Sequence, residues 1–291
     1  MKQLLIVLCM LLGILLPYGQ VLTPTIRYSV MLLLFWAFLD MELNWQVLKW
    51  RHLLVLAAII VFAFGCWAAL AGLDRELALI GFLTAICPTA AMAPAITGFL
   101  RGKVAFTTFA VLLNSCALAL LIPLALTALL PQAAAVATTE VLIPVLLLVF
   151  LPLAVALLFR HFVPAGTRFL LQHKHWALYF FLLNVYIATS KASHYIRFES
   201  HIPPGRILLI AAVSLVVCAG SFLIGHYLGG KGLRLESSMV MGRKNTMFGI
   251  WLALTFVNPV AAMGPMFYII FHNAYISWQL YRLPPLPLPQ R

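Results

Sequence analysis

Long apolar runs alternate with short polar connections along the chain. Because an α-helix rises about 1.5 Å per residue, about 20 mostly apolar residues cross a hydrocarbon core of roughly 30 Å. The pattern therefore predicts an all-α integral membrane protein with ten transmembrane helices. The ten apolar segments lie at residues 4–17, 25–41, 52–73, 77–100, 104–130, 141–162, 175–195, 206–229, 237–257 and 260–281.

Composition excludes a soluble globular protein. The 291 residues are 64% hydrophobic and 9% charged, whereas an ordinary soluble chain carries roughly 25% charged residues. The formal net charge of +12 does not indicate a nucleic-acid partner, because the basic residues lie in short connections and not on one face. The five cysteines form no C-x-x-C pair, so we expect no disulfide framework, no metal site and no cofactor. The composition therefore predicts that the protein is embedded in the lipid bilayer.

Lys and Arg are distributed unequally between alternate connections. Positive residues stay on the cytoplasmic side, so a split of twelve to five predicts that both termini are cytoplasmic, in a multi-pass protein of a bacterial inner membrane. The twelve are Lys2, Lys49, Arg51, Arg101, Lys103, Arg160, Arg168, Lys174, Lys231, Arg234, Arg282 and Arg291, and the five are Arg27, Arg75, Lys191, Arg197 and Arg206.

The fourth and ninth segments contain helix-breaking sequences at matching places. Pro88 and Pro94 interrupt the fourth, and Gly242 precedes polar residues in the ninth. This symmetry predicts two inverted five-helix repeats, at 1–130 and 131–281, followed by a proline-rich cytoplasmic tail at 282–291. Broken helices at corresponding positions are typical of a transporter's binding site. The alternative, that the prolines only kink packing helices, remains open.

Arg243 and Lys244 lie inside the ninth segment. A basic residue at the bilayer centre costs roughly 2.5 to 3.5 kcal/mol on insertion scales, so it needs a partner or a watered cavity. If the ninth helix began only at Thr246, both residues would lie in a cytoplasmic loop, but about 12 residues would then remain before Val257. All carboxylates fall in connections or near predicted helix ends, so no acidic cation site is evident.

Several motifs occur in a recognisable order. Cys87-Pro88-Thr89 is followed by Thr97 to Lys103, then by Asn114-Ser115 and Ile122-Pro123-Leu124, and Gly242 to Asn245 is followed by His272-Asn273. These motifs resemble those of the bile acid:sodium symporter family. The resemblance implies broken, crossing fourth and ninth helices, a core domain and a panel domain, and transport of small organic solutes by alternating access.

The resemblance also assigns residues to sites. At the family's sodium-ligand positions this chain has Val240, Lys244, Ala93 and Pro94, whereas Thr107 retains a hydroxyl. Sodium coupling is therefore in doubt. The substrate-facing residues implied are Asn245, His272 and Asn273, to which the polar residues Thr89, Asn114 and Thr246 of the fourth, fifth and ninth helices are added.

Three roles for the basic pair stay open. The Lys244 ammonium replaces a sodium ion, or it loads and releases a proton, or Lys244 and Arg243 attract an anionic substrate. The predicted function is a secondary transporter of organic solutes, chiefly organic anions, that does not require sodium. The alternatives are a metalloid (arsenite) efflux carrier, which Cys87 suggests, and a non-transporting membrane sensor. No H-E-x-x-H or G-x-S-x-G motif occurs, so an enzyme is not predicted.

Overall fold

The apolar segments form helices in a computed structural model that describes residues 2–41, 47–130, 137–199 and 202–282. The predicted tail, from residue 283 onward, lies outside the described residues. Thirteen α-helices occur in the described ranges: α1 Lys2–Leu15, α2 Ile26–Leu39, α3 Trp50–Ala71, α4 Arg75–Ile86, α5 Ala93–Phe99, α6 Val104–Leu129, α7 Thr138–Phe162, α8 Pro164–Gln172, α9 Trp176–His194, α10 Pro204–Leu228, α11 Gly230–Gly242, α12 Thr246–Phe256 and α13 Pro259–Tyr281.

Several boundaries differ from the predicted segments. A 3-10 helix over Pro17–Thr25 leads into α2, a short π-helix over Tyr195–Glu199 follows α9, and the short helix α8 was not predicted. The ninth segment is predicted to begin at 237. The helical stretch α11 begins at Gly230 but is kinked at Leu233, whose φ of −141° and ψ of 27° are not helical, so its regular part starts within a few residues of the predicted position. Gly230 has a φ of +56°, and the chain turns there between α10 and α11.

Five described stretches are by themselves long and apolar enough to cross a membrane. The fourth and ninth predicted spans are not among them, because breaks divide each into two shorter helices, and the first, seventh and tenth predicted spans are not among them either. The five stretches are Pro17–Leu39, Trp50–Ala71, Val104–Leu129, Thr138–Phe162 and Pro204–Leu228.

The helices pack in two groups. In one, α9 packs against α1 and α2, and α2 also packs against α7. In the other, α4, α10 and α13 pack on one another, with α3 against α4, α11 against α10 and α12 against α13. The groups meet where α12 and α13 contact α9, where α12 contacts α2, and where α6 contacts α7. Both interrupted helix pairs, α4 with α5 and α11 with α12, belong with the second group through α6, α10 and α13.

Close approach of α10 and α11 depends on Gly225. A Cβ atom there would lie 2.5 Å from the Ser237 carbonyl oxygen and 2.9 Å from the Ser238 Cα. Both distances are shorter than van der Waals contact, so any side chain would push the helices apart. Gly65 of α3 differs, because a Cβ there would meet no atom within 4 Å.

An ionic cluster joins the N-terminal ends of α4, α10 and α13. Nη2 of Arg206 lies 3.0 Å from Asp74 Oδ1 and 2.9 Å from Glu76 Oε2, and Nη1 also donates to Asp74. Asn258 donates to Glu76 Oε1 over 3.0 Å and caps α13. Asp74 caps α4 by accepting from the Leu77 amide over 2.9 Å. The hydrogen bond from Arg206 lowers the pKa of Asp74 from 3.8 to about 2.

The first prediction concerns helix approach. Gly225→Ala should lower the free energy of unfolding by about 1 to 3 kcal/mol because of overpacking, although alanine has the higher helix propensity. The control Gly65→Ala should leave stability unchanged or raise it slightly. Thermal unfolding of the purified variants in detergent measures both, and equal effects at the two positions would contradict the packing argument.

The second prediction concerns pH. The pKa of Asp74 is lowered in the folded protein, so its ion pair stabilises above pH 3.8 and that contribution is lost as pH falls toward about 2. Asp74→Asn keeps a helix cap but removes the charge, and should cost about 1 kcal/mol at neutral pH. Melting temperatures of the variant and the unmodified protein should converge between about pH 4 and pH 2.

Asp40→Asn is the control, because the Asp40–Lys174 pair is exposed, with 50% and 62% of the two side chains accessible. It should change stability little at any pH. A difference between Asp74→Asn and the unmodified protein that stayed constant down to pH 2 would refute the electrostatic explanation.

Candidate functional site at the two helix breaks

Two helices are interrupted within the second group. α4 ends at Ile86 and α5 begins at Ala93, while α11 ends at Gly242 and α12 begins at Thr246. Pro88 favours extended backbone at the residue before it, and Cys87 has φ −48° and ψ 134°. Pro94 lies in the first turn of α5, where no backbone donor is needed. Each interruption leaves carbonyl and amide groups at helix ends without partners in their own helix.

The two breaks satisfy each other's backbone. Thr89 and Lys244 form an isolated antiparallel β-bridge. The Ala90 amide donates to the Arg243 carbonyl and the Asn245 amide donates to the Pro88 carbonyl, each over 2.7 Å. Irregular backbone away from water requires such internal pairing, so neither break is complete without the other.

The Lys244 side chain is buried at this crossing. It is 1% exposed, and its Nζ donates to the Ala85 carbonyl oxygen over 2.6 Å. Ala85 belongs to the last turn of α4, whose carbonyls carry the negative end of the helix dipole. None of the ion pairs among the described residues includes Lys244. The charge is therefore met by a helix end and not by a carboxylate.

Side-chain donors occupy the carbonyls at the end of α11. The Thr89 hydroxyl donates to the Val240 carbonyl over 2.7 Å and accepts from Asn114 Nδ2 over 2.8 Å. The Tyr268 hydroxyl donates to the Gly242 carbonyl over 2.8 Å. Backbone carbonyls are ligands that hard cations use, and here at least two of them already accept hydrogen bonds.

The Arg243 side chain forms a hydrogen bond with α13. Its Nη1 donates to Asn273 Oδ1 over 2.8 Å, and Asn273 Nδ2 donates to the Ile269 carbonyl over 2.7 Å. His272 is 2% exposed and lies edge-on to Tyr268, with ring centroids 5.3 Å apart. Within the described residues, Arg243 Nε, His272 Nδ1 and Asn114 Oδ1 are buried without a hydrogen-bond partner. Such atoms usually bind water or a ligand.

The structure brings part of the predicted site together. Thr89, Asn114, Val240 and Lys244 share the crossing, and Arg243 joins Asn273. The remaining predicted residues lie elsewhere or act in the backbone. Asn245 caps α12 by accepting from the Phe248 amide over 3.3 Å, Thr246 is the buried first residue of α12, Ala93 and Pro94 begin α5, and Thr107 lies 3.1 Å from the Thr97 hydroxyl.

Sequence reasoning missed Tyr268. Tyr268 precedes His272 by four residues, and this spacing, which puts both on one face of α13, was the available signal. Glu236, predicted to lie near the start of the ninth segment, lies three residues after the kink at Leu233 in α11. It is 5% exposed and accepts from the Lys103 amide over 2.6 Å.

Comparison with known proteins matches the chain to a family. The model of the Sodium Bile acid symporter family matches residues 29–198. That range is 170 of 291 residues, more than half of the chain. It includes the first break, Thr107 and Asn114, and it ends before α10, so Lys244 and His272 lie outside it. No curated protein matches the chain.

The third prediction tests the ammonium at the crossing. Lys244→Met leaves the Ala85 carbonyl without its donor and should destabilise the protein by about 1 to 3 kcal/mol. Lys244→Gln keeps a donor on a shorter side chain and should cost less. Lys231→Met, at an exposed position at the start of α11, is the control. Thermal unfolding in detergent compares the stability of the three variants. Similar melting temperatures for all three would show that the hydrogen bond from Lys244 to the Ala85 carbonyl does not contribute to stability.

Proposed function

Because the chain belongs to the sodium bile acid symporter family, a family of membrane transporters, we propose that it carries small organic anions by alternating access without sodium coupling. One observation carries the proposal. The Lys244 ammonium lies between the paired helix breaks and donates to the carbonyl of Ala85. A fixed positive charge there fills the electrostatic role of a bound cation.

Repulsion argues against a sodium ion at the same place. Two unit charges 4 Å apart interact by about 4 kcal/mol at an effective dielectric constant of 20. A cation bound that close to the ammonium would lose affinity by about three orders of magnitude. The positions that resemble the family's sodium ligands add no compensating charge, because they are Val240, Lys244, Ala93 and Pro94.

An anionic substrate suits the polar groups beside the crossing. Arg243 supplies positive charge, its Nε is unpartnered, and its Nη1 holds Asn273. His272 contributes a ring nitrogen without a partner. Asn245 caps α12, whose N-terminal end favours negative charge. A carboxylate that accepts from Arg243 and from the neighbouring amides would be bound by charge-assisted hydrogen bonds.

The packing of the helices supports alternating access. The group with α1, α2, α7 and α9 would be the panel domain, and the group with both breaks would be the core domain. The substrate would lie where α12 and α13 face α9. The proposal includes ten spans in two inverted repeats, 1–130 and 131–281, and cytoplasmic termini in a bacterial inner membrane.

A metalloid carrier has less support. Cys87 Sγ donates to the Leu83 carbonyl over 3.0 Å and is buried. A Cβ on Gly249 would collide with the same sulfur. The thiol is therefore packed between α4 and α12, as buried cysteines commonly are.

The fourth prediction tests sodium independence. Purified protein in liposomes should take up radiolabelled organic anions at the same rate in sodium as in choline buffer. A proton gradient tests the alternative that Lys244 carries a proton. Lys244→Gln should reduce uptake in all conditions, whereas Lys231→Gln should not. Absolute dependence on sodium in the unmodified protein would reject the proposal, and ligand binding without any flux would indicate a sensor.

The fifth prediction concerns substrate charge. Arg243→Gln should weaken the apparent affinity for an organic anion by about 10-fold to 100-fold, because a hydrogen bond to a charged group contributes about 1.5 to 3 kcal/mol. Arg234→Gln, at an exposed position of α11, is the matched control. Michaelis constants for uptake measure the effect, and equal constants for the two variants would exclude Arg243 from the binding site.

A further inference from the structure

A cleft lies at one end of the second helix group, away from the two breaks. Its volume is about 340 Å³, and it is lined by Lys49, Trp50, Arg51, Lys103, Gly232 and Leu233. Lys49, Trp50 and Arg51 lie at the start of α3 and Lys103 at the start of α6, helices of 22 and 26 residues, whereas Gly232 and Leu233 lie at the kink in α11. Neither the family match nor the proposed transport cycle gives this cleft a role.

The cleft is positively charged by side chains and by backbone. Lys49 and Lys103 immediately precede α3 and α6, and Arg51 lies in the first turn of α3. All three charged lining side chains are cationic. The N-terminal ends of α3 and α6 add partial positive charge, and the Lys49 amide already donates to His52 Nδ1 over 3.0 Å. Glu236 is the buried carboxylate close by, and its Oε1 accepts from the Lys103 amide over 2.6 Å.

Backbone contacts hold the cationic groups around the opening. Lys103 Nζ donates to the Gly232 carbonyl over 3.2 Å. Arg51 Nη1 donates to the Leu228 carbonyl over 3.4 Å and also to Gly229. Guanidinium nitrogens of Arg51 would lie 2.6 and 2.9 Å from a Cβ on Gly230, whose φ of +56° favours glycine. The arginine is thereby positioned before any ligand arrives, which lowers the entropic cost of binding.

The space inside the cleft is open at Gly232. A Cβ on Gly232 would meet no atom within 4 Å. Trp50 is 66% exposed at the rim, with the Arg51 guanidinium 5.5 Å from its ring centroid. An exposed tryptophan beside basic residues is typical of the interface between a membrane and water.

We propose that this cleft binds a phosphate group, either the phosphodiester of an anionic lipid or a soluble phosphate. Three cationic side chains and the starts of α3 and α6 match the charge and the several acceptor oxygens of that group. Basic pockets between membrane helices bind anionic headgroups in this way. The ligand would link the starts of α3 and α6 to α11 and so stabilise the helix group that contains both breaks.

Binding can be measured with purified full-length protein in a neutral detergent. The probes are phosphatidylglycerol, phosphatidylcholine and inorganic phosphate, read by thermal shift and by native mass spectrometry. Phosphatidylglycerol should raise the melting temperature and remain bound, and phosphatidylcholine should do neither. Protection by inorganic phosphate at similar concentrations would identify a soluble phosphate as the ligand and would equally support a phosphate site.

Two variants and their controls test the location. Gly232→Glu places a carboxylate in open space inside the cleft, and Gly72→Glu makes the same charge change at the other end of α3, where a Cβ also meets nothing within 4 Å. Lys49→Gln with Lys103→Gln removes two charges, and Lys174→Gln removes one at an exposed position.

Each basic residue near an anionic surface contributes about fivefold to binding, so the double variant should bind about 25-fold more weakly. Gly232→Glu should abolish protection, and both controls should retain it. Equal protection of all variants by phosphatidylglycerol, or no selectivity between the two lipids and no effect of inorganic phosphate, would overturn the proposal. Transport activity is not the readout, so this result is independent of the proposed function.

Discussion

Backbone pairing between two interrupted helices is the constraint on which the arrangement of the site depends. An interrupted helix exposes amide and carbonyl groups that cannot remain unpaired away from water. Here the two interruptions pair with each other through the Thr89–Lys244 bridge, and side chains satisfy the remaining helix-end carbonyls. Ala85 receives the Lys244 ammonium, Val240 receives Thr89, and Gly242 receives Tyr268. Substitution of one donor therefore affects both helices.

The sequence indicated the helix breaks at positions where proline, glycine or basic residues interrupt the apolar pattern. Pro88 and Pro94 located the first break because proline removes a donor and restricts the residue before it. Gly242 and the basic residues that follow it located the second. Apolar runs located most helices within a few residues, since burial in lipid requires a minimum length. Each of these signals is carried by the residues of a single segment.

Contacts between distant segments could not be read from the sequence. Nothing local indicates that Thr89 and Val240, 151 positions apart, share a hydrogen bond, or that Tyr268 reaches Gly242. The side-chain oxygen of Asn245, predicted to face a substrate, also caps α12 by accepting from the Phe248 amide, a local contact that the substrate prediction did not include. The contact of Glu236 with the Lys103 amide, 133 positions away in the chain, is likewise not indicated by hydropathy.

A cation that belongs to the chain differs thermodynamically from one taken from solution. The Lys244 ammonium cannot be collected on one side of a bilayer and released on the other, so it cannot draw on a difference in sodium concentration. The membrane potential does act on the positive charge of Lys244. If the crossing of α4 and α11 moved through the full electric field, this single charge would contribute about 2.3 kcal/mol of work per 100 mV. Such a movement would be driven by voltage in proportion to the distance travelled.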